Sequence, residues 1–536
     1  MVKQNAGQGD GKSSMAVKVT VLAGGVMRVI DAREGQMLLD VLRVHGVELS
    51  AACGGRGTCG KCGVDIDGLG RVLSCRHALQ HDITVRVPLA GKAAILHDAG
   101  LLEGVENDCG LSRGNGGSIV STLPGAERTI VPRAAPPGLY GIAIDIGTTT
   151  VVVYLEDLLA YETRDVVSFV NPQTVYGHDV VSRIHYTMEH ENGVTTLRDE
   201  LLREVNRAIE QLCSRNGIDT DALYKATVVG NTTMLHLFMG VDPSSIAAAP
   251  YTPRFIDRRL VDGRQSGLSV NAGAVVIVLP SVSGYVGADI TAGIAATELR
   301  DTQDYSLFVD IGTNGEMALG NSGELFCCST AAGPAFEGAT IACGTGGIEG
   351  AIARYAGGTY ETIGGVTPAG ICGSGILDIA ADLRATGRID VGGLMESDHL
   401  IVPASSSATG TDIVFTPADV REVQLATAAI YAGLNILMKE SGVTVERVTR
   451  LYLAGGFGNY LRVESAIAVG LLPMSLQGRI VPVGNSAGSG ARLALRSKQF
   501  DARVERTARA AKYIELSMRM DFNEEYVMAM NLERRG

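Results

Sequence analysis

The sequence contains no tryptophan, and aromatic residues make up only 5% of its 536 positions. Without many large rings, the hydrophobic cores must be built mainly from Val, Ile, Leu and Ala. Those residues suit β-strands that alternate with alanine-rich helices. At about 150 residues per domain, the chain is too long for one ordinary core and predicts three or four folded units.

The chain also lacks an excess of positive charge: 46 Lys and Arg stand against 58 Asp and Glu, a net charge of −12. Such a surface repels nucleic acids and anionic membranes, so we expect neither as a partner. The most apolar stretch, residues 272–288, is short and interrupted by Pro280 and two serines, which argues against a membrane span. Residues 1–14 are polar and glycine-rich, so we expect a disordered tail rather than a signal peptide, and a cytoplasmic protein.

Glycine and cysteine are what the sequence does contain, at 68 and 10 positions. Because 46% of the residues are hydrophobic, the glycines indicate tight turns and close backbone approaches rather than disorder. Cysteines in a reducing compartment serve more often as metal ligands or buried thiols than as disulfides. The spacing of the cysteines can therefore indicate which of them are metal ligands.

Hydrophobic patterning divides the chain into two folded parts and a connection. Short strands with one helix near Met37–His45 predict a compact β-rich domain over residues 15–96. Scattered Gly, Ser and Pro predict a linker over residues 97–138. Strands and helices then alternate over residues 139–536.

The C-terminal region predicts helix over residues 494–520, which are rich in Arg, Ala and Leu. Four methionines lie in or after this segment, and we expect them to fill a core: Met518, Met520, Met528 and Met530.

The segment "CGGRGTCGKC", residues 53–62, places three cysteines among four glycines. With one later cysteine it gives the spacing C-x5-C-x2-C-x12-C, formed by Cys53, Cys59, Cys62 and Cys75. Four thiolates are what an iron–sulfur cluster requires, and glycines let backbone N–H groups approach its negative charge. The same letters also satisfy the G-x-G-x-x-G pattern of dinucleotide-binding loops. A zinc ribbon fits the cysteines less well, because zinc ribbons usually have paired C-x2-C knuckles.

This loop resembles that of the plant- and adrenodoxin-type [2Fe–2S] ferredoxins, over roughly residues 17–96. The resemblance implies an α+β β-grasp fold and a [2Fe–2S] cluster held by Cys53, Cys59, Cys62 and Cys75. The other six cysteines lack ligand spacing, and we expect structural thiols. The adjacent Cys327 and Cys328 leave open a cluster that bridges a dimer.

Two strand–turn–strand segments, "GIAIDIGTTTVVVY" and "FVDIGTNGEMAL", carry the same D-I-G-T turn, beginning at Asp145 and Asp310. An Asp at the end of a buried strand can hold hydrated Mg²⁺ or orient a water, and the N–H groups and Thr hydroxyls that follow can bind phosphate oxygens. One such turn fits a simple turn-capping carboxylate equally well. Two of them can clamp a polyphosphate from opposite sides.

Together with "LYLAGGFGNY", residues 451–460, these turns resemble the ASKHA superfamily of sugar kinases, Hsp70 and actin. The resemblance implies a two-lobed α/β fold that binds ATP and Mg²⁺, with Asp145 and Asp310 as the catalytic residues. It implies cofactor contacts from two phosphate motifs and one adenosine motif: Gly147, Thr148, Thr149, Gly312, Thr313, Asn314, Gly455, Gly456, Phe457 and Gly458. Three further polar islands, residues 229–234, 329–338 and 373–375, either line the same cleft or cap helices.

With "GNTTM" and "AAGPAFEGA" in the same order, the chain resembles the reductive activators of corrinoid-dependent enzymes, from about Val17 to its end. The resemblance implies ATP-dependent transfer of one electron from the [2Fe–2S] cluster to Co(II) corrinoid, which regenerates Co(I) for methyl transfer in methyltransferase or O-demethylase systems of anaerobes. The chain has no D-x-H-x-x-G corrinoid motif, so the cobalt is expected on a separate corrinoid protein. The electron donor and a homodimer are left open.

Three alternatives remain at this point. One is an activator of a 2-hydroxyacyl-CoA dehydratase or benzoyl-CoA reductase, a family that bridges a dimer with a [4Fe–4S] cluster and has no N-terminal ferredoxin unit. A second is a small-molecule kinase with a redox regulatory domain. A non-enzymatic, Hsp70-like binding module is disfavoured, because no substrate-binding domain follows the ATPase region.

Overall fold

The computed structural model describes residues 16–23, 26–45, 47, 49, 62–87, 104–131, 138–455 and 461–536. The chain divides into two compact units, Met1–Gly91 and Lys92–Gly536. The tail expected over residues 1–14 lies outside the described residues. Among the helices of the described residues, none has both the length and the apolar character to cross a membrane.

The first unit is a five-stranded sheet with one helix, in the strand order β2-β1-β5-β3-β4. Its elements are β1 (Ala16–Ala23), β2 (Val26–Arg33), α1 (Leu38–Val44), β3 (Gly63–Ile66), β4 (Gly70–Leu73) and β5 (Ile83–Arg86). Strands β1 and β5 are parallel and all other pairs are antiparallel. Alternating Val17, Val19 and Val21 pack with Leu38 and Leu42 of the helix, as the period-two pattern of β1 predicts. This arrangement is the expected β-grasp.

A small antiparallel sheet follows, made of β6 (Leu111–Arg113), β7 (Ile119–Ser121) and β8 (Arg128–Ile130). The prediction of a linker over residues 97–138 is therefore wrong for this part of it. Leu111, Ile119, Leu123 and Ile130 are buried in the same core as the sheet that comes next. These apolar residues are separated by Gly- and Ser-rich turns, and that turn composition suggested an unfolded segment.

The next part, lobe 1, contains a six-stranded sheet in the order β11-β10-β9-β12-β14-β13. Its strands are β9 (Tyr140–Ile146), β10 (Thr150–Asp157), β11 (Glu162–Val170), β12 (Leu223–Gly230), β13 (Arg259–Asp262) and β14 (Val275–Val278). Its helices are α2 (Val180–Glu189), α3 (Gly193–Asn216), α4 (Thr232–Met239), α5 (Gly263–Ser266) and α6 (Ala288–Ala295).

The remaining part, lobe 2, has a second six-stranded sheet in the order β24-β23-β15-β16-β17-β25, with a three-stranded sheet β19-β18-β20 and a two-stranded sheet β21-β22. Its strands are β15 (Tyr305–Ile311), β16 (Gly315–Gly320), β17 (Leu325–Thr330), β18 (Ala351–Ala356), β19 (Thr359–Thr362), β20 (Gly370–Ile371), β21 (His399–Val402), β22 (Ile413–Phe415), β23 (Val448–Ala454), β24 (Ile480–Gly484) and β25 (Ala511–Tyr513). The helices are α7 (Gly373–Ala385), α8 (Pro417–Ser441), α9 (Val463–Ala468), α10 (Ser486–Arg496), α11 (Lys498–Ala510) and α12 (Met520–Met528).

The two large sheets are duplicates of one another. The series β11-β10-β9-β12-β14 in lobe 1 corresponds to β17-β16-β15-β23-β24 in lobe 2. In both series the first two pairings are antiparallel and the last two are parallel. The repeated D-I-G-T turn is therefore the visible remnant of a repeated sheet, and each copy joins the second and third strands of its series.

Helices α6 and α10 cross between the lobes. Helix α6 follows a lobe 1 strand but packs Ile290 and Ile294 against lobe 2, whereas α10 follows a lobe 2 strand and packs into the lobe 1 core. Their backbones touch at glycines: a Cβ on Gly490 would lie 2.4 Å from the carbonyl oxygen of Ala292. This crossing brings the first turns of both helices toward the ends of β9 and β15.

The C-terminal region departs from its prediction in two ways. The helix expected over residues 494–520 is two helices, α10 and α11, followed by the short strand β25, because Ser497 interrupts the first and caps the second. Met518, Met520 and Met528 are 78%, 79% and 76% exposed rather than core residues, and Met530 is half-buried. Phe522 and Tyr526 supply the packing contacts of α12 in their place.

Candidate functional site

Asp145 and Asp310 occupy equivalent places, each one residue before the end of the middle strand of its sheet, β9 or β15. Both strands are otherwise buried, and both aspartates are half-buried at the strand ends. The parallel neighbours β12 and β23 end beside them, with Val229 paired to Asp145 and Ala454 paired to Asp310. The structure thus places both predicted catalytic carboxylates at corresponding strand ends, as the repeat implies.

Further carboxylates lie close to these two. Burial, together with the charge of Asp145, raises the pKa of Asp289, in the first turn of α6, to about 7. Burial also raises the pKa of Asp310 to about 8, and the charges of Asp289, Asp145 and Glu337 add to the effect. The pKa of Glu316 on β16 lies well above its ordinary value, because the side chain is buried near Asp289 and Asp310. The cleft between the lobes is therefore strongly acidic.

Asn485 fixes the orientation of Asp145. Its Nδ2 donates a 2.8 Å hydrogen bond to Oδ2 of Asp145, while its Oδ1 accepts one from the backbone N–H of Gly488 and so caps helix α10. The hydrogen bond from Asn485 lowers the pKa of Asp145, but burial is the larger effect and raises that pKa to about 6. Asn485 and Asp289 were not identified from the sequence. The available signal was a polar residue at the start of a helix rich in small residues, in "VGNSAGSG" and "VGADITAG".

Glycines allow the strand ends to approach one another. A Cβ on Gly455 would lie 2.5 Å from the carbonyl oxygen of Ile311 and 3.1 Å from Oδ1 of Asp310, and its φ is +106°. Gly230 makes the same approach in lobe 1, where a Cβ would lie 2.6 Å from the carbonyl oxygen of Ile146. The predicted adenosine-motif residues Gly456, Phe457 and Gly458 lie outside the described residues, whereas Gly455 is placed directly against Asp310.

The two predicted phosphate turns close in similar ways. In the first, the N–H of Gly147 donates to the carbonyl of Thr150, at 3.0 Å, and a Cβ on Gly147 would lie 2.6 Å from that oxygen. In the second, the N–H of Gly312 donates to the carbonyl of Asn314, at 2.9 Å. The first turn therefore leaves no room for a side chain at Gly147, whereas a Cβ on Gly312 would lie 3.9 Å from the carbonyl oxygen of Asn314, an ordinary contact.

Side chains around these turns hold their threonines in place. Asn231 donates to the hydroxyl of Thr148, at 2.9 Å, and the fully buried Arg183 donates to the backbone carbonyl of the same residue. Thr149 and Thr313 both donate to the carboxylate of Glu337, at 2.7 Å and 3.0 Å. Asn231 and Glu337 come from two of the three polar islands whose role the sequence left open, and both lie at the cleft. The third island, residues 373–375, forms the first turn of helix α7.

The cysteine pair of the first unit is assembled by a hairpin. Cys62 directly precedes β3 and Cys75 follows β4, and the pairing of Gly63 with Leu73 brings their sulfurs to 3.1 Å. The hydroxyl and the N–H of Ser74 both donate to the carbonyl of Cys62, which holds the second segment against the first. Cys62 is buried and Cys75 is half-buried, with Leu39 packed beside them. Two thiols from separate segments that converge in this way suit ligands of one metal cluster.

The other two predicted ligands, Cys53 and Cys59, lie outside the described residues. The remaining cysteines are buried or half-buried free thiols, as expected: Cys109, Cys213, Cys327, Cys328, Cys343 and Cys372. Cys327 and Cys328 are adjacent on β17 and belong to two different cores, one on each face of the sheet, and neither is exposed. That geometry argues against a cluster shared between two copies of the chain through this pair.

Chemically, the cleft combines threonine hydroxyls and two backbone turns with carboxylates close enough to raise one another's pKa values. Hydroxyls and N–H groups suit phosphate oxygens, and the carboxylates suit a hydrated divalent cation. Among the described residues, no three His, Cys, Asp or Glu side chains converge on one metal position.

Three family matches cover most of the chain. Residues 23–80 match the family described as "2Fe-2S iron-sulfur cluster binding domain", residues 140–302 match "RACo middle region", and residues 304–536 match "C-terminal domain of RACo the ASKHA domain". The last two matches divide the chain where it passes from lobe 1 to lobe 2. They confirm the predicted order of a ferredoxin-like domain followed by a two-lobed ASKHA fold.

Similar proteins cover nearly the whole length. The chain is 31% identical to "Corrinoid activation enzyme RamQ" of Eubacterium limosum, over 93% of this chain and 96% of that protein. It is 26% identical to "[Co(II) methylated amine-specific corrinoid protein] reductase" of Methanosarcina barkeri, over 74% of this chain and 78% of that protein. The solved structure of a "Reductive activator for corrinoid,iron-sulfur protein" superposes with a TM-score of 0.75 at 31% identity, covering 96% of this chain and 98% of that one.

Proposed function

The chain belongs to the family of reductive activators of corrinoid proteins, and on that basis we propose that it uses ATP to transfer one electron to the Co(II) corrinoid of a separate protein. The product is Co(I), the state that accepts a methyl group in methyltransferase and O-demethylase systems. The observation that carries this proposal is the combination, in one chain, of converging ligand thiols and a two-lobed acidic cleft.

The electron-transfer half rests on the first unit. Cys62 and Cys75, with Cys53 and Cys59 of the same spacing, are the proposed ligands, and the convergence of the two described sulfurs fits a cluster. The cluster, when bound, supplies a one-electron donor. The chain's own contribution is the β3–β4 hairpin that sets the two thiols and the Leu39 contact that shields Cys62 from water.

The nucleotide half rests on the cleft of the second unit. We assign phosphate contacts to the turns at Gly147–Thr149 and Gly312–Asn314, and the adenosine contact to the backbone at Gly455–Gly458. Asp145 and Asp310 would hold hydrated Mg²⁺ and orient the attacking water, with Asn485 fixing Asp145. Helices α6 and α10 cross between the lobes, so a nucleotide bound in the cleft would affect helices that pack on both lobes. This arrangement can couple nucleotide binding to a change in conformation.

The partner follows from the relatives. The reductase of Methanosarcina barkeri and the solved activator are both named for a corrinoid protein. Coupling to ATP has a physical purpose here, because a nucleotide-driven change can make an otherwise uphill one-electron transfer proceed. The electron donor to the cluster and the oligomeric state are not part of the proposal.

A reconstituted assay tests it. The reduced holoprotein is mixed with MgATP and a purified Co(II) corrinoid protein, and Co(I) absorbance is followed. We expect Co(I) only with ATP, and none with Cys62→Ser protein. Equal Co(I) formation without ATP would contradict the proposal, and so would full activity of the serine variant.

A second variant separates the two halves. Asp310→Ala should abolish ATP hydrolysis and Co(I) formation while the visible spectrum of the cluster stays unchanged, because Asp310 lies in the second unit. Loss of both ATP hydrolysis and the cluster spectrum would indicate that the Asp310→Ala protein misfolds. The experiment is then repeated with the more conservative Asp310→Asn. Mössbauer spectra of iron-57-labelled protein should show a [2Fe–2S] cluster, whereas a [4Fe–4S] cluster shared by two chains would indicate the dehydratase-activator alternative.

A further inference from the structure

We propose that Glu337 is a latch across the nucleotide cleft: its carboxylate competes with nucleotide phosphate for the hydroxyls of Thr149 and Thr313. The inference rests on the proposed function, since it concerns how ATP enters that same cleft. It assigns to Glu337 the role of a positioning residue whose release accompanies phosphate binding.

The contacts of Glu337 connect the two phosphate turns. Oε2 accepts a hydrogen bond from Thr149 Oγ1 at 2.7 Å, and both carboxylate oxygens accept from Thr313 Oγ1 at 3.0 Å. Thr149 belongs to the turn of lobe 1 and Thr313 to the turn of lobe 2, 188 and 24 residues away from Glu337 in sequence. One carboxylate therefore joins the two lobes at the two loops predicted to hold phosphate.

The competition follows from the chemistry of a hydroxyl group. A threonine hydroxyl has a single proton to donate. While Thr149 and Thr313 donate to Glu337, neither can donate to a phosphate oxygen. A phosphate group can take these hydrogen bonds only if the carboxylate gives them up, and the negative charge of the carboxylate opposes phosphate in the same place.

The backbone holds Glu337 in position for this role. It follows Ala335 and Phe336, both buried in the lobe 2 core, so the start of the turn is anchored. It precedes Gly338, whose φ is +76° and where a Cβ would lie 2.4 Å from the backbone nitrogen of Thr345. A Cβ on Gly312 would lie 3.4 Å from Glu337 Oε1, so the carboxylate rests directly on the second phosphate turn.

A latch has an unusual consequence for binding. If Glu337 competes with phosphate, its removal tightens the binding of a nucleotide that carries phosphates. If instead Glu337 recruits the magnesium–phosphate group or simply supports the fold, its removal weakens binding. Removing the Glu337 carboxylate takes a charge and its hydrogen bonds out of the nucleotide-free state. We therefore expect the affinity for a phosphate-carrying nucleotide to rise by about tenfold.

The experiment measures dissociation constants by calorimetry for MgAMPPNP and for adenosine, using the full-length holoprotein and its Glu337→Gln and Glu337→Ala variants. We expect both variants to bind MgAMPPNP more tightly, Glu337→Ala by about tenfold, and to bind adenosine like wild type. Glu337→Gln should show the smaller gain, because its amide oxygen still accepts from one threonine.

A double-mutant cycle separates hydrogen bonding from charge. In the Thr149→Val/Thr313→Val variant, the Glu337 carboxylate has lost both threonine hydroxyls as hydrogen-bond donors. Adding Glu337→Ala to that variant should therefore change MgAMPPNP affinity by less than threefold. An unchanged tenfold gain there would mean that charge repulsion alone acts, and it would overturn the latch. Unchanged or weaker MgAMPPNP binding by Glu337→Ala in the wild-type background would also overturn it.

The outcomes distinguish the two proposals. If wild-type protein binds neither MgAMPPNP nor adenosine, the proposed ATP-dependent function fails. If wild type binds both and the Glu337 variants bind no tighter, only the latch fails. The visible spectrum of the cluster, recorded for each variant, reports on the integrity of the first unit.

Discussion

The side-chain amide of Asn485 donates a 2.8 Å hydrogen bond to the carboxylate of Asp145, although 340 residues separate them in sequence. Asn485 lies between strand β24 of lobe 2 and helix α10, which packs into the core of lobe 1. A residue that caps a crossing helix thus also orients a carboxylate of the opposite lobe, the one that we propose to be catalytic. Position of the helix and orientation of Asp145 are set by the same side chain.

Replacing Asn485 by alanine should reduce both stability and turnover. The missing cap is worth about 1 kcal/mol of stability, and an Asp145 carboxylate free to rotate should lower ATP hydrolysis roughly tenfold. Asn485→Ser is the matched control, because serine also caps helices but is too short to reach Asp145. Thermal unfolding and steady-state ATPase rates check this. If Asn485→Ser hydrolyses ATP like wild type, the contact with Asp145 has no part in turnover.

Because the backbone at Gly455 lies so close to Ile311 and Asp310, adding one methyl group there should strongly weaken nucleotide binding. In Gly455→Ala the Cβ would lie 2.5 Å from the carbonyl oxygen of Ile311, so β23 must move away from β15 beside Asp310. We expect nucleotide binding to weaken at least tenfold, measured by calorimetry with MgAMPPNP.

Gly478→Ala provides the control for that substitution. Gly478 also has a positive φ, +80°, but a Cβ there would meet nothing within 4 Å. It should cost only the backbone strain, about 1 kcal/mol of stability, and leave nucleotide affinity unchanged. Similar affinity losses in both variants would show that the close approach at Gly455 is not the cause.

The sequence predicted those parts of the site that carry local signatures. A D-I-G-T turn after an apolar strand is recognisable because strand, turn and carboxylate are adjacent, and Asp145 and Asp310 were placed correctly at their strand ends. The spacing of Cys62 and Cys75 likewise indicated ligands of one cluster, but the hairpin that brings their sulfurs together is seen only in the structure.

Parts that depend on long-range packing were not predictable in this way. Asp289 and Asn485 enter the cleft only because α6 and α10 cross, and that crossing is set by small-residue contacts between distant segments. The small sheet β6–β8 was mistaken for a linker because its strands have three residues each and gain their burial from lobe 1. The exposed methionines of α12 were expected in a core because composition does not tell which face of a helix is covered.

The acidic cleft predicts a pH-dependent stability. Burial raises the pKa of Asp145 from 3.8 to about 6, and burial together with repulsion from nearby carboxylates raises the pKa values of Asp289 and Asp310 from 3.8 to about 7 and 8. The folded protein therefore keeps protons that the unfolded chain has already released. The stabilisation from these groups is complete below about pH 4 and is lost as pH rises through 6 to 8.

Asp289→Asn isolates this effect, because the amide imitates the neutral carboxyl at every pH. Without added divalent cations, its melting temperature relative to wild type should rise between pH 5 and pH 8, by on the order of a few °C. Asp257→Asn removes a carboxyl that is 66% exposed and should show no such trend. A difference between Asp289→Asn and wild type that stays constant with pH would contradict the raised pKa of Asp289.

Lys225 helps to hold the small sheet β6–β8 to lobe 1. This lysine of β12 is fully buried, and its Nζ donates to the backbone carbonyls of Cys109, Ala494 and Leu495 at 2.8–3.0 Å. Burial lowers its pKa to about 8. The three acceptors lie in the segment before β6 and at the end of α10, so one side chain ties both to the sheet.

Lys225→Met should leave those three carbonyls without this donor and lower stability by about 3 kcal/mol or more. Thr227→Val is the control on the same strand, because it removes a single 2.8 Å hydrogen bond to the carbonyl of Ala491 in the same helix and should cost about 1 kcal/mol. Urea unfolding followed by circular dichroism compares the two variants. If Lys225→Met is as stable as Thr227→Val or more so, the cost of burying the lysine's charge outweighs its three hydrogen bonds. In that case the lysine is not what holds the small sheet to lobe 1.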